Sequence, residues 1–242
     1  MQIEGTIALV TGANRGIGKA FAAALLERGA AKVYAGVRDV ATVTDPRLVA
    51  VELDVTDADQ VAAAAAKLGD VEIVVNNAGI AIAATPLTAT LDDARAELEV
   101  NYLGLVSTTQ AFAPVLAANG GGAFVNVLSV VSWVGSPNLA TYSASKSAAW
   151  GFTNAARVQL KFQGTQVVGV HVGPVDTDLA AGLEGDKIPP QTVATSALDA
   201  LEAGHSEAVV DDISRGVKSA LHDDHNLLYP AIEAQFAAAA AS

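Results

Sequence analysis

Short runs of Val, Ile and Leu alternate with helix-like segments along this chain, and no other feature constrains its fold as strongly. The runs show little alternation of apolar and polar residues, which is typical of strands buried on both faces of a parallel sheet. A repeated strand–helix order predicts a Rossmann-type α/β fold: a doubly wound seven-stranded parallel sheet with helices on both faces. The predicted strands are Thr6–Gly12, Ala31–Val37, Leu48–Val55, Val71–Gly79, Gly122–Ser129, Thr165–Gly173 and Glu207–Val210.

The length and pattern predict a single domain. The 242 residues suffice for one well-buried α/β core, and no linker-like segment divides residues 1–242. Residues 223–242 lie outside the repeating pattern and are predicted as a short C-terminal helical tail. The predicted helices are Gly16–Gly29, Asp57–Leu68, Leu91–Ala118, Tyr142–Gln163 and 190–203.

Charge and composition exclude several classes of function. A formal net charge of -12 argues against a nucleic acid or an anionic membrane surface as partner. The absence of cysteine excludes disulfides, thiolate zinc sites and a cysteine nucleophile. The segment from His222 to His225, "HDDH", is interpreted as a solvated acidic turn, so no metal site is predicted. No leader peptide or membrane-spanning run is visible, and a cytoplasmic location is expected.

The segment "TGANRGIG" (Thr11–Gly18) joins the first strand to the first helix. Gly12, Gly16 and Gly18 permit a tight turn and close approach of a ligand to the backbone. The helix that follows offers free N–H groups and a positive dipole to a pyrophosphate. An ordinary Gly-rich turn is the alternative, but its place between strand one and helix one favours a dinucleotide.

The end of the second strand indicates which dinucleotide would bind. A carboxylate there would pair with a free ribose 2′-hydroxyl, but this strand ends on Val37 and Arg38 follows. Arg15 lies within the Gly-rich turn, and two guanidinium groups suit a 2′-phosphate. Alternatively, Arg38 is a solvated loop residue that pairs with Asp39. The sequence therefore predicts NADPH in preference to NADH.

A second motif places a phenol and an ammonium one helical turn apart. Tyr142 and Lys146 in "YSASK" share one helix face among small residues. A free phenol has a pKa of about 10, and a nearby ammonium lowers it, which would make Tyr142 a usable acid or base. The alternative is a structural Tyr with the Lys stem packed over it.

Five motifs in order resemble the short-chain dehydrogenase/reductase family in its compact single-domain branch. They are "TGANRGIG", "NNAG" (Asn76–Gly79), "NYLG" (Asn101–Gly104), "NVLS" (Asn126–Ser129) and "YSASK" (Tyr142–Lys146). The resemblance covers about Thr6 to Thr177. It implies reversible transfer of hydride between NADP(H) and a carbonyl or alcohol.

The resemblance also implies a role for each matching residue. Tyr142 matches the proton donor and acceptor, Lys146 the residue that lowers its pKa and binds ribose, and Ser129 the residue that binds the substrate oxygen. Asn101 matches the residue that holds a water in the proton relay. Asp54 matches the adenine contact. The implied cofactor-binding residues are Gly12, Asn14, Arg15, Gly16, Ile17, Gly18, Arg38, Asp54, Val55, Asn77, Ala78, Gly79, Tyr142, Lys146, Val175 and Thr177.

Asn101 is a poor helix former inside a long predicted helix, and this predicts a local kink and a bound water near Lys146. Substrate contacts are expected from residues 80–84, 130–139 and 174–190. Several residues there are apolar, which favours a hydrophobic ketone or aldehyde. The apolar candidates are Val130, Val131, Trp133, Val134, Leu139, Leu179 and Leu183.

Three alternatives stay open at this point. The chain could be a non-catalytic cofactor sensor, an alcohol dehydrogenase working in the oxidative direction, or an epimerase on the same fold. The first would be expected to lack part of the Asn101, Ser129, Tyr142 and Lys146 set, and the last usually carries a larger substrate domain. The mostly apolar helices Leu91–Ala118 and Tyr142–Gln163 predict a homodimer or homotetramer.

Overall fold

The computed structural model describes residues 1–182 and 185–240 and contains the predicted seven-stranded parallel sheet. Every strand lies within its predicted range and is shorter at one or both ends. The strands are β1 (Ile7–Thr11), β2 (Lys32–Val37), β3 (Val49–Glu52), β4 (Ile73–Asn76), β5 (Gly122–Val127), β6 (Thr165–His171) and β7 (Glu207–Val209).

The strand order is β3-β2-β1-β4-β5-β6-β7, and every neighbouring pair is parallel. The direction of winding reverses between β1 and β4. At such a reversal the connections leave to opposite faces of the sheet, which opens a crevice at the carboxyl ends of the strands. This topology confirms the predicted Rossmann-type fold.

Helices cover both faces of the sheet. The α-helices are α1 (Gly16–Glu27), α2 (Ala58–Lys67), α3 (Leu91–Leu98), α4 (Gly104–Ala118), α5 (Ala140–Leu160), α6 (Pro190–Glu202), α7 (Asp212–Ala220), α8 (Asp224–Leu227) and α9 (Tyr229–Ala240). Successive residues of a strand point to opposite faces. Ala8 and Val10 therefore pack in one core with α1 and α6, while Leu9 packs in the other with α2, α4 and α5.

The predicted long helix Leu91–Ala118 is interrupted at the expected place. A π-helical segment, Glu99–Leu103, separates α3 from α4 and contains the buried Asn101. The Gly104 N–H donates to the Glu99 carbonyl, five residues back. A π turn of this kind inserts one extra residue into the helix, so the predicted irregularity at Asn101 is confirmed.

The C-terminal part contains one helix that the sequence pattern did not indicate, α7. Asp211 caps it by accepting a hydrogen bond from the Ser214 N–H at 2.8 Å. An Asp before an i, i+4 pair, Ile213 and Val217, was the signal that could have found it. The predicted tail is helical in α8 and α9, and the Tyr229 hydroxyl accepts a hydrogen bond from the Gly135 N–H at 3.2 Å.

His171 is fully buried at the end of β6. Its ring stacks on Trp133 with centroids 3.7 Å apart, and Nδ1 lies 3.3 Å from the Ser129 carbonyl oxygen. Nε2 lies 3.7 Å from the Glu207 carboxylate and has no hydrogen-bond partner in the described part of the chain. Burial, the largest influence, lowers the pKa of His171 to about 4.

This depressed pKa predicts a loss of stability at mildly acidic pH. The unfolded chain binds a proton at His171 below about pH 6.5, whereas the folded chain resists protonation down to about pH 4. Above pH 6.5 His171 has no such effect on the free energy of unfolding. As the pH falls toward 4 it lowers that free energy increasingly, by about 2 kcal/mol at pH 5. Urea titrations at pH 7 and pH 5 measure the decline in the free energy of unfolding. His171→Phe should remove the part of this decline that comes from His171.

The exposed His205 provides the matched control, because its imidazole lies on the surface and not in the core. In His205→Phe the free energy of unfolding should decline between pH 7 and pH 5 as it does in the wild type. An identical decline in the His171→Phe variant would show that this imidazole is not held neutral.

Candidate functional site

The predicted site residues all lie beyond the carboxyl ends of strands, along the crevice that the topology opens. The Gly-rich turn follows β1, Arg38 follows β2, Asp54 and Val55 follow β3, and residues 77–79 follow β4. Ser129 follows β5, and Val175 and Thr177 follow β6. Asn101, Tyr142 and Lys146 are supplied by the π segment and by α5.

The Gly-rich turn has the shape of a phosphate cradle. Gly12 and Gly16 have φ angles of +65° and +51°, which disfavour any side chain. A Cβ on Gly18 would lie 2.2 Å from the Gly12 carbonyl oxygen, so α1 can approach β1 only with glycine there. Arg15 makes no side-chain cap at the start of α1, and no acidic residue lies in the first turn. These residues therefore suit an anionic dinucleotide.

Asn77 braces this turn from the neighbouring strand. Its Nδ2 donates to the Thr11 and Gly12 carbonyl oxygens at 2.9 and 3.3 Å. Thr11 Oγ1 in turn accepts hydrogen bonds from the Asn77 and Ala78 N–H groups, both at 3.0 Å. The Asn77 side chain thus holds the turn in place. Thr11 was not predicted as a site residue, although it is the first residue of the motif.

The two arginines proposed for the 2′-phosphate differ in their surroundings. Arg15 Nη1 forms an exposed ion pair with Asp178 Oδ2 at 2.9 Å, and such pairs typically contribute no more than about 1 kcal/mol. Arg38 is exposed and has no hydrogen bond or ion pair within the described residues. Asp39 does not pair with it, since its carboxylate accepts from the Ala41 N–H. The last residue of β2 is Val37, which is buried and offers no carboxylate to a ribose hydroxyl.

The remaining cofactor-site residues are held by local contacts. Asp54 Oδ1 accepts from the Thr56 N–H and hydroxyl at 3.0 and 2.8 Å. Val55 packs closely on Gly104, where a Cβ would lie 2.7 Å from its Cγ2. The Thr177 methyl would lie 3.1 Å from a Cβ on Gly16, which brings the segment after β6 to the Gly-rich turn. Asn14 and Ile17 are partly exposed in that turn.

Tyr142 and Ser129, the residues predicted to meet the substrate oxygen, are both buried. Burial raises the pKa of Tyr142 to about 12; hydrogen bonding to Ser129 lowers it, and the charge of Glu97 raises it further. The expectation of a lowered pKa is therefore wrong for the chain itself, because loss of solvent outweighs the other effects. Tyr142 is consequently a neutral phenol that can donate a proton.

Lys146 lies beneath Tyr142, with Nζ 5.8 Å from the phenol ring centroid. Nζ donates to the Val127 carbonyl oxygen at 2.9 Å, which fixes the ammonium at the end of β5. Burial lowers the pKa of Lys146 to about 8. An amine with this pKa exchanges protons near neutrality, which suits a residue that resupplies a proton.

Asn101 is fastened from three directions. Its Oδ1 accepts from the Ile80 N–H, and its Nδ2 donates to the Ile80 carbonyl oxygen and to Ser145 Oγ, all at 2.9 Å. A cavity of about 10 Å³ lies between Asn101, Lys146 and the ends of β1, β4 and β5. A volume of this order is close to the minimum for one water. The predicted water near Lys146 would fit there.

Two of the expected substrate loops, residues 80–84 and 130–139, meet through a bridge between Ala84 and Leu139. The Ala140 N–H donates to the Ala84 carbonyl oxygen at 3.2 Å, which ties residues 80–84 to the start of α5. A largely apolar cavity of about 240 Å³ lies between residues 130–138, α7 and α9. Leu183 lies outside the described residues. The lining side chains include Val130, Val131, Val134, Ile213, Val217, Ile232 and Phe236.

Two further properties bear on partners. No helix in the described ranges is long and apolar enough to cross a membrane. Within residues 1–182 and 185–240, no three His, Asp or Glu residues are grouped so that they could hold a metal ion.

Comparisons with known proteins agree with this geometry. The family model described as short chain dehydrogenase matches residues 6–187. A cis-4-hydroxycyclohexanecarboxylate dehydrogenase from Sinomonas cyclohexanicum is 40% identical over 193 residues, covering 74% of this chain and 77% of that protein. A 3-oxoacyl-[acyl-carrier-protein] reductase from Synechocystis is 33% identical over 196 residues, covering 75% and 79%.

Among solved structures, a short chain dehydrogenase from Burkholderia cenocepacia in complex with NADP is 41% identical, with a TM-score of 0.92. The match covers 96% of this chain and 99% of that one. A relative from Burkholderia phymatum in complex with NAD is 21% identical and shows the shared fold. Its TM-score is 0.82, and the match covers 94% of this chain and 96% of that one. The chain therefore belongs to the short-chain dehydrogenase/reductase family of oxidoreductases, which act on alcohol and ketone groups.

Proposed function

We propose that this protein reduces a hydrophobic ketone or aldehyde to an alcohol with NADPH, in a reversible reaction. The observation that carries the proposal is the convergence of Tyr142, Ser129, Lys146 and Asn101 beside a glycine cradle at one crevice. All four side chains are buried, which matches a constructed site better than a surface cluster. Their joint presence argues against the alternative of a non-catalytic cofactor sensor.

The chain's own residues supply binding, orientation and proton transfer. The Gly-rich turn and α1 would hold the pyrophosphate, and Lys146 the nicotinamide ribose. NADPH, when bound, supplies the hydride. Ser129 and Tyr142 donate hydrogen bonds to the substrate oxygen, where negative charge develops during reduction. Tyr142 releases its proton to that oxygen, and Lys146 resupplies it with the help of a water near Asn101.

Apolar contacts support a hydrophobic substrate. The cavity of about 240 Å³ is lined mainly by Val, Ile and Phe side chains, and its Val130 and Val131 directly follow Ser129. The relative from Sinomonas acts, by its name, on cis-4-hydroxycyclohexanecarboxylate, a cyclic alcohol that also carries a carboxylate. That name also favours a second candidate, oxidation of a compact cyclic alcohol. Assaying cyclic ketones with NADPH and the matching alcohols with NADP distinguishes the two directions.

The preference for NADPH rests on Arg38. This guanidinium is exposed at the end of β2 with no competing contact within the described residues, and Val37 supplies no carboxylate. The complex of the 41% identical Burkholderia relative with NADP supports the same cofactor. A cytoplasmic location stays a prediction.

Replacing the proton donor tests the reaction. Tyr142→Phe should abolish carbonyl reduction and leave NADPH binding largely intact, because the ring remains but the proton is lost. Ser129→Ala should lower kcat by at least about a hundredfold, the usual effect of removing one oxyanion donor. Tyr102→Phe is the control, since the Tyr102 hydroxyl has no hydrogen bond within the described residues. Near-wild-type kcat in Tyr142→Phe would contradict the mechanism.

Cofactor preference is tested by kcat/KM for NADPH and NADH on one carbonyl substrate. Arg38→Leu should lower the NADPH:NADH ratio about ten- to hundredfold, because one hydrogen bond to a charged group contributes roughly 1.5–3 kcal/mol. Asp178→Asn should raise the ratio by releasing Arg15. Arg95→Leu, which removes an exposed guanidinium of α3, should leave it unchanged. A wild-type preference for NADH would show that Arg15 and Arg38 point into solvent.

We also propose a two-fold dimer through α4 and α5. Leu105 and Phe112 of α4 are buried within the subunit and cannot contribute to such a contact. Exposed apolar side chains nevertheless remain nearby: Leu103, just before α4, is 44% exposed, and Val158 of α5 is 68% exposed. Burying such side chains favours association.

Light scattering at micromolar concentration should give twice the monomer mass. A Val158→Glu variant should shift the measured mass toward that of the monomer. A purely monomeric wild type would overturn the proposal.

A further inference from the structure

His171, at the end of β6, is a buried imidazole that the mechanism above does not use. Its Nδ1 lies 3.3 Å from the carbonyl oxygen of Ser129, the residue proposed to bind the substrate oxygen. A carbonyl oxygen only accepts hydrogen bonds, so this contact requires the proton on Nδ1. Nε2 is then the unprotonated nitrogen, which agrees with its lack of a hydrogen-bond partner in the described part of the chain.

The charges around this ring agree with a neutral imidazole. The Glu207 carboxylate of β7 lies 3.7 Å from Nε2, but it already forms an ion pair with Lys218 of α7. From α5 comes Arg157, whose guanidinium donates to the Ser206 carbonyl oxygen at 2.9 Å. The positive charges of Lys218 and Arg157 oppose protonation of the ring, in the same direction as its burial. At neutral pH His171 can therefore act as a fixed donor through Nδ1.

The turn after β5 is fastened to β6 at Ser129 and Val130. Within the turn, the Ser129 N–H donates to Ser132 Oγ at 3.1 Å, and the Ser132 N–H donates to the Ser129 carbonyl oxygen at 3.0 Å. These contacts set the shape of the turn. Its position against β6 depends on two others, the Val130 N–H donating to the Val172 carbonyl oxygen at 2.9 Å and the contact from His171.

The ring of His171 also supports the loop expected to contact the substrate. It stacks on Trp133, with centroids 3.7 Å apart and planes inclined by 15°. Trp133 is partly exposed and belongs to residues 130–139. One side chain of β6 therefore contacts both the main chain of Ser129 and the loop that follows it.

We propose that His171 is a positioning residue of this site. Its Nδ1–H fixes the Ser129 main chain, and with it the Ser129 hydroxyl, while the ring face holds Trp133 in the substrate loop. This proposal rests on the proposed function, because that function gives Ser129 its role in carbonyl reduction. Loss of the donor should lower kcat, since a small misplacement of a reacting group is costly. Loss of the ring face should instead raise KM for the carbonyl substrate, since Trp133 would lose its support.

Two substitutions separate the donor from the ring. His171→Phe keeps an aromatic face for Trp133 and removes the donor, so kcat should fall about ten- to hundredfold with little change in KM. His171→Asn keeps an N–H group close to the place of Nδ1 and removes the ring. It should therefore rescue kcat and raise KM. His205→Phe, at an exposed position, should change neither.

A double-mutant cycle with Ser129→Ala tests whether His171 acts through Ser129. In the Ser129→Ala background, His171→Phe should change kcat by less than about twofold, because the hydroxyl that it positions is gone. A merely structural effect would lower kcat by the same factor in both backgrounds. That result would refute the proposal.

A readout without turnover keeps this test independent of the proposed function. The chain contains one Ser–Val pair, Ser129–Val130, so labelling the carbonyl carbon of Ser and the nitrogen of Val gives one NMR cross-peak for the Ser129 carbonyl. Loss of the hydrogen bond should shift this carbon upfield in His171→Phe, whereas His171→Asn should keep it close to the wild-type position.

The two failures can be told apart. If no carbonyl compound is reduced by the wild type, the proposed function fails, and the cross-peak still decides whether His171 holds Ser129. An unmoved cross-peak in a folded His171→Phe variant would show that it does not, and the proposal would be wrong.

Discussion

The connection between the ends of β1 and β4 is the contact on which the rest of the site depends. The Thr11 hydroxyl accepts two backbone N–H groups from the turn after β4, and Asn77 returns hydrogen bonds to the Thr11 and Gly12 carbonyl oxygens. These contacts join the two strands at the point where the sheet reverses its winding. They set the spacing between the Gly-rich turn and residues 77–79, and hence the width of the crevice.

Burial controls the chemistry on the other side of that crevice. Lys146 is held by a backbone carbonyl at the end of β5, and Asn101 by both backbone groups of Ile80. Lys146 and Tyr142 are removed from water, and this burial changes both pKa values. The pKa of Lys146 is lowered and that of Tyr142 is raised. The π segment accounts for the placement of Asn101. Its inserted residue interrupts the regular helix where the Asn101 side chain reaches Ser145 of α5.

The C-terminal helices pack against the loop that follows Ser129. Tyr229 of α9 accepts a hydrogen bond from Gly135, and α7 and α9 enclose an apolar cavity with residues 130–138. The same loop places Trp133 on the buried His171, whose Nδ1 approaches the Ser129 carbonyl oxygen. Packing at the C-terminus is therefore connected through two contacts to the position of Ser129.

The sequence by itself determined the fold class, and it named the candidate site residues that the structure brings to one crevice. Apolar runs and helical spacing are local signals, so the seven strands, the break at Asn101 and the Gly-rich turn could be predicted from neighbouring residues alone. Tertiary structure decided what depends on distant partners. Arg15 meets Asp178 and Glu97 meets Ile82 only through folding, and the strength of burial around Tyr142 reverses the expected direction of its pKa. Desolvation depends on every element packed around a group, and no local pattern encodes it.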